Sequence, residues 1–405
     1  MKLKKIDDVV KSGMCAGCGA CSRVSDKVVM EVSGRGFYRP RLEEALDQRE
    51  NKIFGTVCPG ISIIKPNTQT EDSLFWGAVL ECCDVQATDS DILQNSSSGG
   101  GVTALANHLL GLGFIDGVIH TCPAENNIDT VTVVSRCKED LMKAMGSRYC
   151  PSSPLNNIKN IIEENKRYIF IGKPCDVVAL RSLMAVYDDL KESITLLVSF
   201  FCAGVPSQNA TKELVRKMGV DENNLVKLRY RGDGWPGYAI ASDLSGNTGK
   251  LSYQDSWGKV LNKDLQSRCR ICIDGIGEGA DIVFGDAWET DSKGYPTFNE
   301  RVGRSLALAR TDVGVRMLAS CVDSGSLKRF ERDINTLDKL QNYQLERRGS
   351  VASRKLAFFI LGMPTTSYIR YPLIKLLMSI GLRKNIKYFV GTLKRLILNR
   401  RNLVS

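Results

Sequence analysis

The sequence of 405 residues predicts an α/β protein with some α+β elements, organised in three parts. Three observations predict this class. Cysteines are closely spaced near the N-terminus, apolar strand-like runs alternate with helical stretches between about residues 74 and 290, and the last 56 residues carry basic but no acidic side chains. Alternating strands and helices are typical of α/β folds. The expected parts are residues 1–70, 71–340 and 341–405.

Four cysteines define the first part. Cys15, Cys18 and Cys21 lie three residues apart in CAGCGAC, and Cys58 precedes a proline in CPG. In a ferredoxin-type loop this spacing lets three thiolates meet on one 4Fe–4S cluster, while a distant cysteine supplies the fourth ligand. Ser25 stands where a two-cluster ferredoxin would have its next cysteine, so one cluster is expected in a ferredoxin-like segment. Zinc is the alternative, although zinc sites favour two pairs of cysteines.

The second part is expected to form an α/β domain with a largely parallel or mixed sheet. Its predicted strands are Asp116–Thr121, Tyr168–Ile171, Ile194–Phe201, Leu225–Tyr230, Tyr238–Leu244 and Asp281–Phe284. Its predicted helices are Val102–Leu112, Ile158–Glu164, Val177–Val186 and Gln208–Met218. The apolar runs at residues 168–171 and 194–201 predict strands that are buried on both faces.

A second set of cysteines falls at the carboxyl edge of this predicted sheet. Cys175 and Cys202 each follow a predicted buried strand, and Cys269 and Cys272 lie in the later loop CRIC. Ligands of open α/β sheets gather at the carboxyl ends of the strands. We therefore interpret these four residues as ligands of a second 4Fe–4S cluster. The alternatives are a zinc site and scattered core thiols.

A glycine-rich loop leads into the predicted helix at Val102. A loop that opens a helix presents free backbone N–H groups and the positive end of the helix dipole, which suits a phosphate or the edge of a flavin. The candidate cofactor-binding residues are Ser97, Ser98, Gly99, Gly100 and Gly101. The loop matches neither a Walker A motif nor a G-x-G-x-x-G fingerprint. The alternative is a serine N-cap that follows a flexible turn.

The third part is a basic, amphipathic tail that is expected to be helical. Residues 350–405 contain 11 Lys and Arg and no Asp or Glu, whereas residues 1–349 carry 44 basic and 45 acidic groups. From Ile369 onward, apolar and basic residues mix as they do in helices that lie on anionic membrane surfaces. Docking on a partner protein and packing against the protein's own core are the alternatives.

Six motifs together resemble the coenzyme F420 hydrogenase/dehydrogenase beta-subunit family, which also resembles 7-hydroxymethyl chlorophyll a reductase. They are CAGCGAC, CPG, SSSGGGVTALANHLL, GKPCDVVALRSL, FFCAGVPS and CRICIDGIGEGADIVFGDAW, and they cover roughly residues 10–290. The resemblance implies FAD and one or two 4Fe–4S clusters, with coenzyme F420 as a candidate substrate. It also implies that the SSSGGG loop lies at the flavin and that Lys173 is close to the active centre as a catalytic residue.

The expected function is that of an iron–sulfur flavoprotein oxidoreductase. Clusters pass single electrons, and a flavin can combine two of them into a hydride. Such a protein would pass electrons between a ferredoxin-like donor or a deazaflavin coenzyme and a small organic acceptor. The alternative is an electron-relay beta subunit whose substrate chemistry takes place on a partner protein.

Expected partners are ferredoxin or another redox protein and a small-molecule acceptor. The sequence contains no nucleic-acid-binding motif. The first residues, MKLKKIDDVVKSGM, lack the apolar core of a signal peptide, and 14 cysteines suit a reducing compartment. The expected location is therefore the cytoplasm, with a peripheral contact between the tail and the inner face of the membrane.

Overall fold

The computed structural model of the protein describes residues 3–67 and 72–398. The boundary predicted at residue 70 and residues 399–405 of the predicted tail lie outside the described residues. The strands are β1 (Val28–Val32), β2 (Tyr38–Leu42), β3 (Ser62–Ile64), β4 (Asp72–Ser73), β5 (Gly77–Ala78), β6 (Glu81–Ala87), β7 (Gly117–Pro123), β8 (Thr130–Ser135), β9 (Tyr168–Gly172), β10 (Ile194–Phe200), β11 (Leu225–Arg229), β12 (Tyr238–Asp243), β13 (Thr248–Ser252), β14 (Ile282–Asp286), β15 (Ser305–Ala309), β16 (Leu327–Glu331) and β17 (Ser367–Ile369).

The α-helices alternate with these strands through the middle of the chain and dominate its end. They are α1 (Ile6–Lys11), α2 (Ala20–Val24), α3 (Gln48–Val57), α4 (Ser90–Asn95), α5 (Gly101–Gly111), α6 (Lys138–Lys143), α7 (Ile158–Ile161), α8 (Pro174–Met184), α9 (Asp188–Ser193), α10 (Gln208–Lys217), α11 (Asp312–Asp323), α12 (Leu337–Leu340), α13 (Asn342–Gly349), α14 (Val351–Ile360), α15 (Leu373–Ser379) and α16 (Leu382–Leu398).

An eight-stranded mixed sheet forms the centre of the molecule, in the order β16-β6-β15-β14-β10-β9-β7-β8. The four central strands β14, β10, β9 and β7 are parallel neighbours. The outer strands on both sides run antiparallel to their neighbours. The predicted mixed sheet is therefore confirmed, and the two strands that the sequence marks as buried, β9 and β10, lie in its parallel part.

Helices cover both faces of this sheet, which explains the continuous apolar runs in its central strands. On one face, Leu105 and Leu109 of α5 and Leu318 of α11 pack with side chains of β9, β10 and β14. On the other face, Val177 and Leu180 of α8 pack against the opposite side chains of the same strands. The carboxyl ends of β9 and β10 thus open toward one edge, between two helical layers.

The observed elements correct several predicted boundaries. The helix predicted over 158–164 ends at Ile161, because residues 163–166 form a turn in which Asn165 has a φ of 59°. The helix predicted from Val177 begins at Pro174, where a proline needs no N–H partner. Strands β11 and β12 belong to a separate three-stranded sheet with β13 and not to the central sheet.

The tail packs against the N-terminal segment. Strand β17 pairs in parallel with β3, and Phe358 and Leu396 of the tail share one apolar cluster with Leu3, Ile6 and Phe54. The packing of the tail on the chain itself, which the sequence left open, is therefore present. None of the helices within the described residues combines the length and the apolar composition needed to cross a lipid bilayer.

Candidate functional site

The first cysteine set surrounds one apolar cavity. Cys15, Cys18, Cys21 and Cys58 all line its wall. The other lining residues are Ile6, Val9, Ala16, Gly19, Ala20, Met30, Pro40, Phe54, Val57 and Pro59. An enclosed apolar pocket with four thiols suits an iron–sulfur cluster, whose ligands are cysteine thiolates.

Two glycines allow the cysteine loop to fold around this cavity. Gly17 and Gly19 have φ values of 75° and 83°, which favour glycine. A Cβ atom at Gly19 would lie 2.5 Å from the backbone nitrogen of Asn156, and one at Gly17 would lie 3.0 Å from the carbonyl oxygen of Tyr38. Both the turn and the close approach of neighbouring backbone therefore require glycine here.

The thiols of the first set are held in a low-dielectric environment. Burial, together with neighbouring cysteines, raises the pKa of Cys18 and Cys21 well above the usual range and that of Cys58 to about 12. Thiolates at these positions need nearby positive charge, which the iron atoms of a cluster would supply.

The second cysteine set meets at the carboxyl edge of the sheet. Cys175 lies in the first turn of α8, Cys202 follows β10, and Cys269 lies in the short 3-10 helix Ser267–Ile271, just before Cys272. Burial and the neighbouring thiols of Cys269 and Cys272 raise the pKa of Cys202 to about 12. Cys202 in turn contributes to the raised pKa of Cys175. The structure thus brings these four residues together.

The described residues contain no group of three or more His, Cys, Asp or Glu side chains that is arranged to hold one metal ion. A 4Fe–4S cluster is bound differently, because each thiolate ligates a different iron atom. Both donor sets therefore fit clusters by residue type and by number, and the first also by its apolar surroundings.

The two cysteine sets are neighbours. Gln266, which is 3% exposed, donates from Nε2 to the carbonyl oxygen of Ala16 at 3.4 Å. The backbone of Leu155 donates to the carbonyl oxygen of Cys18 at 2.9 Å. Asp176, in α8 beside Cys175, is also a charged neighbour of the Cys18 thiol.

Lys173 is buried at the second cysteine set. Its Nζ lies 2.7 Å from Asp176 Oδ2 and donates to Ser152 Oγ at 2.5 Å. Burial acts to lower its pKa, but Asp176 and the thiols of Cys175 and Cys202 raise it, and the net shift is upward. Lys173 is therefore a protonated, buried lysine and not the solvated turn residue that its position before a proline could have indicated.

The glycine-rich loop packs tightly against strands of its own chain. Ser97 Oγ accepts a hydrogen bond from the Ser147 backbone at 2.7 Å and donates to the Arg231 carbonyl at 3.1 Å. A Cβ at Gly99 would lie 2.5 Å from the Ser305 nitrogen, and one at Gly101 would lie 2.7 Å from the Phe284 ring. These contacts explain the requirement for glycine at positions 99 and 101 without a ligand.

The remaining members of the loop have similar local roles. Ser98 Oγ donates to the carbonyl oxygen of Arg304 at 2.8 Å. Gly100 is the N-cap of α5 with a φ of 74°, and a Cβ there would lie 3.0 Å from side chains of Ala87 and Ile92. The loop lies apart from the thiols but is joined to Lys173 by the segment 147–152.

Sequence reasoning missed several arginines around these groups. Arg148, beside Ser147, is partly buried, has no hydrogen bond or ion pair within the described residues, and has its Nε shielded from solvent. Arg268 and Arg347 are 3% and 6% exposed next to the cysteine sets. In the sequence, only their position next to the cysteine and glycine motifs sets these arginines apart. The residues around a charged side chain do not show whether it will be buried.

Comparison with known proteins identifies the family of this architecture. The N-terminal model of the coenzyme F420 hydrogenase/dehydrogenase beta subunit matches residues 82–159, and the C-terminal model matches residues 165–333. Coenzyme F420 hydrogenase subunit beta of Methanococcus voltae is 25% identical over 294 residues, which cover 69% of this chain and 95% of that protein.

Two further similarities extend this result. Coenzyme F420-dependent sulfite reductase of Methanocaldococcus jannaschii is 25% identical over 313 residues, covering 72% of this chain but only 45% of that protein. A chain of the F420-reducing NiFe hydrogenase complex from Methanosarcina barkeri superposes with a TM-score of 0.56 at 22% identity, covering 75% of this chain and 99% of the other. This last similarity shows a common fold.

Proposed function

The chain belongs to the coenzyme F420 hydrogenase/dehydrogenase beta-subunit family, and we propose that it is an iron–sulfur flavoprotein oxidoreductase with two 4Fe–4S clusters. The observation that carries this proposal is the convergence of two sets of four buried or half-buried cysteines side by side. Cys15, Cys18, Cys21 and Cys58 would hold one cluster, and Cys175, Cys202, Cys269 and Cys272 would hold the other.

Lys173 would supply a fixed positive charge beside the second cluster. Asp176 holds its ammonium group in place, and burial of the pair excludes water. The upward shift in the pKa of Lys173 keeps the group protonated at neutral pH. A protonated lysine stabilises negative charge that develops on a nearby electron acceptor.

FAD is the proposed electron acceptor from the clusters, because a flavin exchanges single electrons with clusters and hydride with an organic molecule. Arg148 supports this proposal. It carries a charge without a partner within the described residues, next to the Ser147–Ser97 hydrogen bond of the glycine-rich loop. A guanidinium is well suited to a phosphate group, so we place the phosphates of FAD at Arg148.

The partners of such a protein are a ferredoxin or another redox protein on one side and a small acceptor on the other. Relatives named as F420 hydrogenase or formate dehydrogenase subunits make coenzyme F420 a candidate for the small molecule. The second candidate function is an electron-relay beta subunit, and it is favoured by the same names, since each describes one subunit of a larger enzyme.

Iron analysis tests the cluster assignment. The full-length chain, reconstituted anaerobically, should bind about eight iron atoms if both sets hold 4Fe–4S clusters. The Cys18→Ala variant should bind about four fewer iron atoms because the first cluster is lost. The Cys272→Ala variant should also bind about four fewer because the second cluster is lost. Cys137→Ala, which changes an exposed cysteine outside both sets, should lose none. Binding of zinc in place of iron would contradict the proposal.

Flavin binding and turnover discriminate the two candidate functions. Acid-denatured holoprotein should release FAD, and Arg148→Gln should weaken FAD binding while both clusters remain loaded. Reduction of coenzyme F420 or another soluble acceptor by the isolated chain supports the oxidoreductase. FAD binding without any acceptor turnover, until a partner protein is added, supports the relay.

We also propose a cytoplasmic location with a peripheral contact to an anionic membrane surface through α16. Although one face of this helix packs on the chain, a second face carries exposed Leu382, Ile386, Val390 and Ile397 at i, i+4, i+8 and i+15. The exposed Arg383, Lys387 and Lys394 flank this apolar stripe. Exposed apolar side chains bordered by cations are typical of interfacial helices, and each cation near such a surface contributes on the order of 1 kcal/mol.

Vesicle sedimentation tests this contact. The full chain should sediment with vesicles that contain phosphatidylserine but not with phosphatidylcholine vesicles, and high salt should weaken binding because it screens the charges. Ile386→Glu should abolish binding. Leu244→Glu, which introduces the same charge at an exposed apolar residue just after β12, should bind normally. Equal loss in both variants would contradict a contact through α16.

A further inference from the structure

Arg268 connects the two cysteine sets. It immediately precedes Cys269 in the chain, yet its Nη2 donates to the carbonyl oxygen of Pro59, the residue after Cys58, at 3.2 Å. Its backbone nitrogen donates to the carbonyl oxygen of Gly13 at 3.2 Å, at the start of the first cysteine loop. Arg268, which adjoins the second set, is therefore hydrogen-bonded to backbone beside two parts of the first set, at Gly13 and at Pro59.

The charge of Arg268 is buried without a carboxylate. The side chain is 3% exposed, its Nη1 has no hydrogen-bond partner, and the described residues provide no ion pair for it. A buried charge is costly unless an opposite charge compensates it. The guanidinium reaches the backbone next to Cys58, and the residue itself precedes Cys269 in the chain. Thiolate ligands of both sets are thus its available counter-charges.

Arg347 differs from Arg268 because it serves one set. It extends from α13 and donates to the carbonyl oxygens of Cys202, at 2.9 Å, and Cys269. The thiols among its charged neighbours are Cys202, Cys269 and Cys272, all of the second set. Arg268 is therefore a buried cation that contacts backbone beside the first set and precedes a ligand of the second.

We propose that Arg268 is a positive charge shared by the two clusters, which keeps both reduction potentials higher than they would be without it. This inference rests on the proposed function, because it requires clusters at both sets. Reduction adds one negative charge to a cluster, so a fixed guanidinium nearby favours the reduced form. Because Arg268 contacts backbone beside the first set and precedes a ligand of the second, it should raise both potentials.

Redox titration followed by electron paramagnetic resonance tests the proposal on the full-length, cluster-loaded chain. In Arg268→Gln, the ratio of reduced to oxidised cluster at a fixed potential should fall at least tenfold at both clusters, which is 59 mV for a one-electron couple. Arg268→Lys keeps the charge and should retain most of the wild-type ratio. A shift at only one cluster, or an equal loss in the lysine variant, would overturn the proposal.

Arg310→Gln is the matched control. Arg310 is 7% exposed and donates to the carbonyl oxygens of Trp76, Ala78 and Ile276, so it is as buried as Arg268 and is bonded in the same way. Its charged neighbours are carboxylates and another arginine, not thiols. Both potentials should be unchanged in this variant. A shift as large as that of Arg268→Gln would show a general effect of lost buried charge and overturn the proposal.

If the Arg268 variants do not bind iron, the electron paramagnetic resonance spectrum of the wild-type chain still tests the proposal. With both clusters reduced by dithionite, the paramagnetic resonance lines should be broadened by magnetic interaction between neighbouring clusters. Cys18→Ala, with the second cluster alone, should give unbroadened lines. A wild-type spectrum that equals the sum of two isolated clusters would overturn the shared position of Arg268. Failure of the proposed function would be distinct, since the wild-type chain would then bind no iron.

Discussion

His120 and Ser135 form a buried hydrogen bond between β7 and β8, with 2.7 Å between His120 Nε2 and Ser135 Oγ. Burial lowers the pKa of His120 to about 4, well below that of an exposed histidine, although Asp140 acts weakly in the other direction. A buried neutral imidazole makes the free energy of unfolding depend on pH. In acid the imidazole binds a proton in the unfolded chain but not in the folded chain, and this favours unfolding.

We therefore expect an acid-sensitive loss of stability that depends on His120. The pKa of His120 is lower in the folded chain than in the unfolded chain. Above about pH 6.5 the residue therefore does not change the free energy of unfolding, and as pH falls to 4 it lowers that free energy by up to about 3 kcal/mol. His120→Gln should remove that part of the pH dependence, as measured by anaerobic guanidinium unfolding at several pH values. His108→Gln is the comparison, and an unchanged slope in the His120 variant would contradict the prediction.

Cysteines could be placed from the sequence, whereas arginines could not. The spacing of Cys15, Cys18 and Cys21 is the spacing that ligation of one cluster would require, and that requirement is local. Burial of Arg268 depends on Pro59, more than two hundred residues away, so no local pattern predicts it. The same limit applies to Gly99, whose close neighbour Ser305 belongs to a distant strand.

Among the elements, α14 and α16 determine how the tail is held. Phe358 of α14 is 2% exposed and belongs to the apolar cluster that includes Cys15 and Cys21, whereas the adjacent Phe359 is 78% exposed. Helix α14 thus presents one aromatic ring to the first cysteine set and another to solvent. The tail is consequently part of the wall behind the proposed cluster.

The two phenylalanines give a matched pair of variants. Phe358→Ala should lower the free energy of unfolding by about 3–5 kcal/mol, since it leaves a cavity behind the cysteine loop. Phe359→Ala should change it by less than about 0.5 kcal/mol. Guanidinium unfolding under anaerobic conditions measures both. Equal effects of the two substitutions would mean that the tail does not stabilise the first segment.

Prediction of elements succeeded where a strand is buried on both faces and was less successful elsewhere. Strands β9 and β10 are continuous apolar runs, and their bounds agree with the sequence to within one residue. Strands β6, β8, β15 and β16 complete the sheet but were not predicted. Strand β6 pairs with β15 and β16 as antiparallel neighbours more than 200 residues away in the sequence. Their pairing therefore depends on partners that no local stretch of sequence contains.

At the scale of the whole molecule, the two cysteine sets lie where three regions of the chain meet. The N-terminal segment supplies the first set, the central sheet and its loops supply the second, and α13 contacts Cys202 through Gln344 and Arg347. Binding of clusters would therefore stabilise all three regions together, since metal-binding free energy contributes to folding free energy.

Hydrogen exchange should show this coupling directly. Removal of iron should lower protection of residues 13–24, 56–64, 266–275 and 341–349 together, because all four contribute cysteines or contact them. Helix α11, on the far part of the sheet, should keep its protection and serves as the internal control. Loss of protection confined to residues 13–24 and 56–64 would show that the second set does not depend on a cluster.

The pairing of β17 with β3 has a consequence for biosynthesis. Thr366 Oγ1 donates to the carbonyl oxygen of Gly60 across 306 residues, next to the strand pair Ser367–Ile369 and Ser62–Ile64. Synthesis proceeds from the N-terminus, and domains generally fold as their residues emerge from the ribosome. The N-terminal segment emerges before the residues that complete its structure, so its cysteines remain without their final cover until residues 366–369 have been translated.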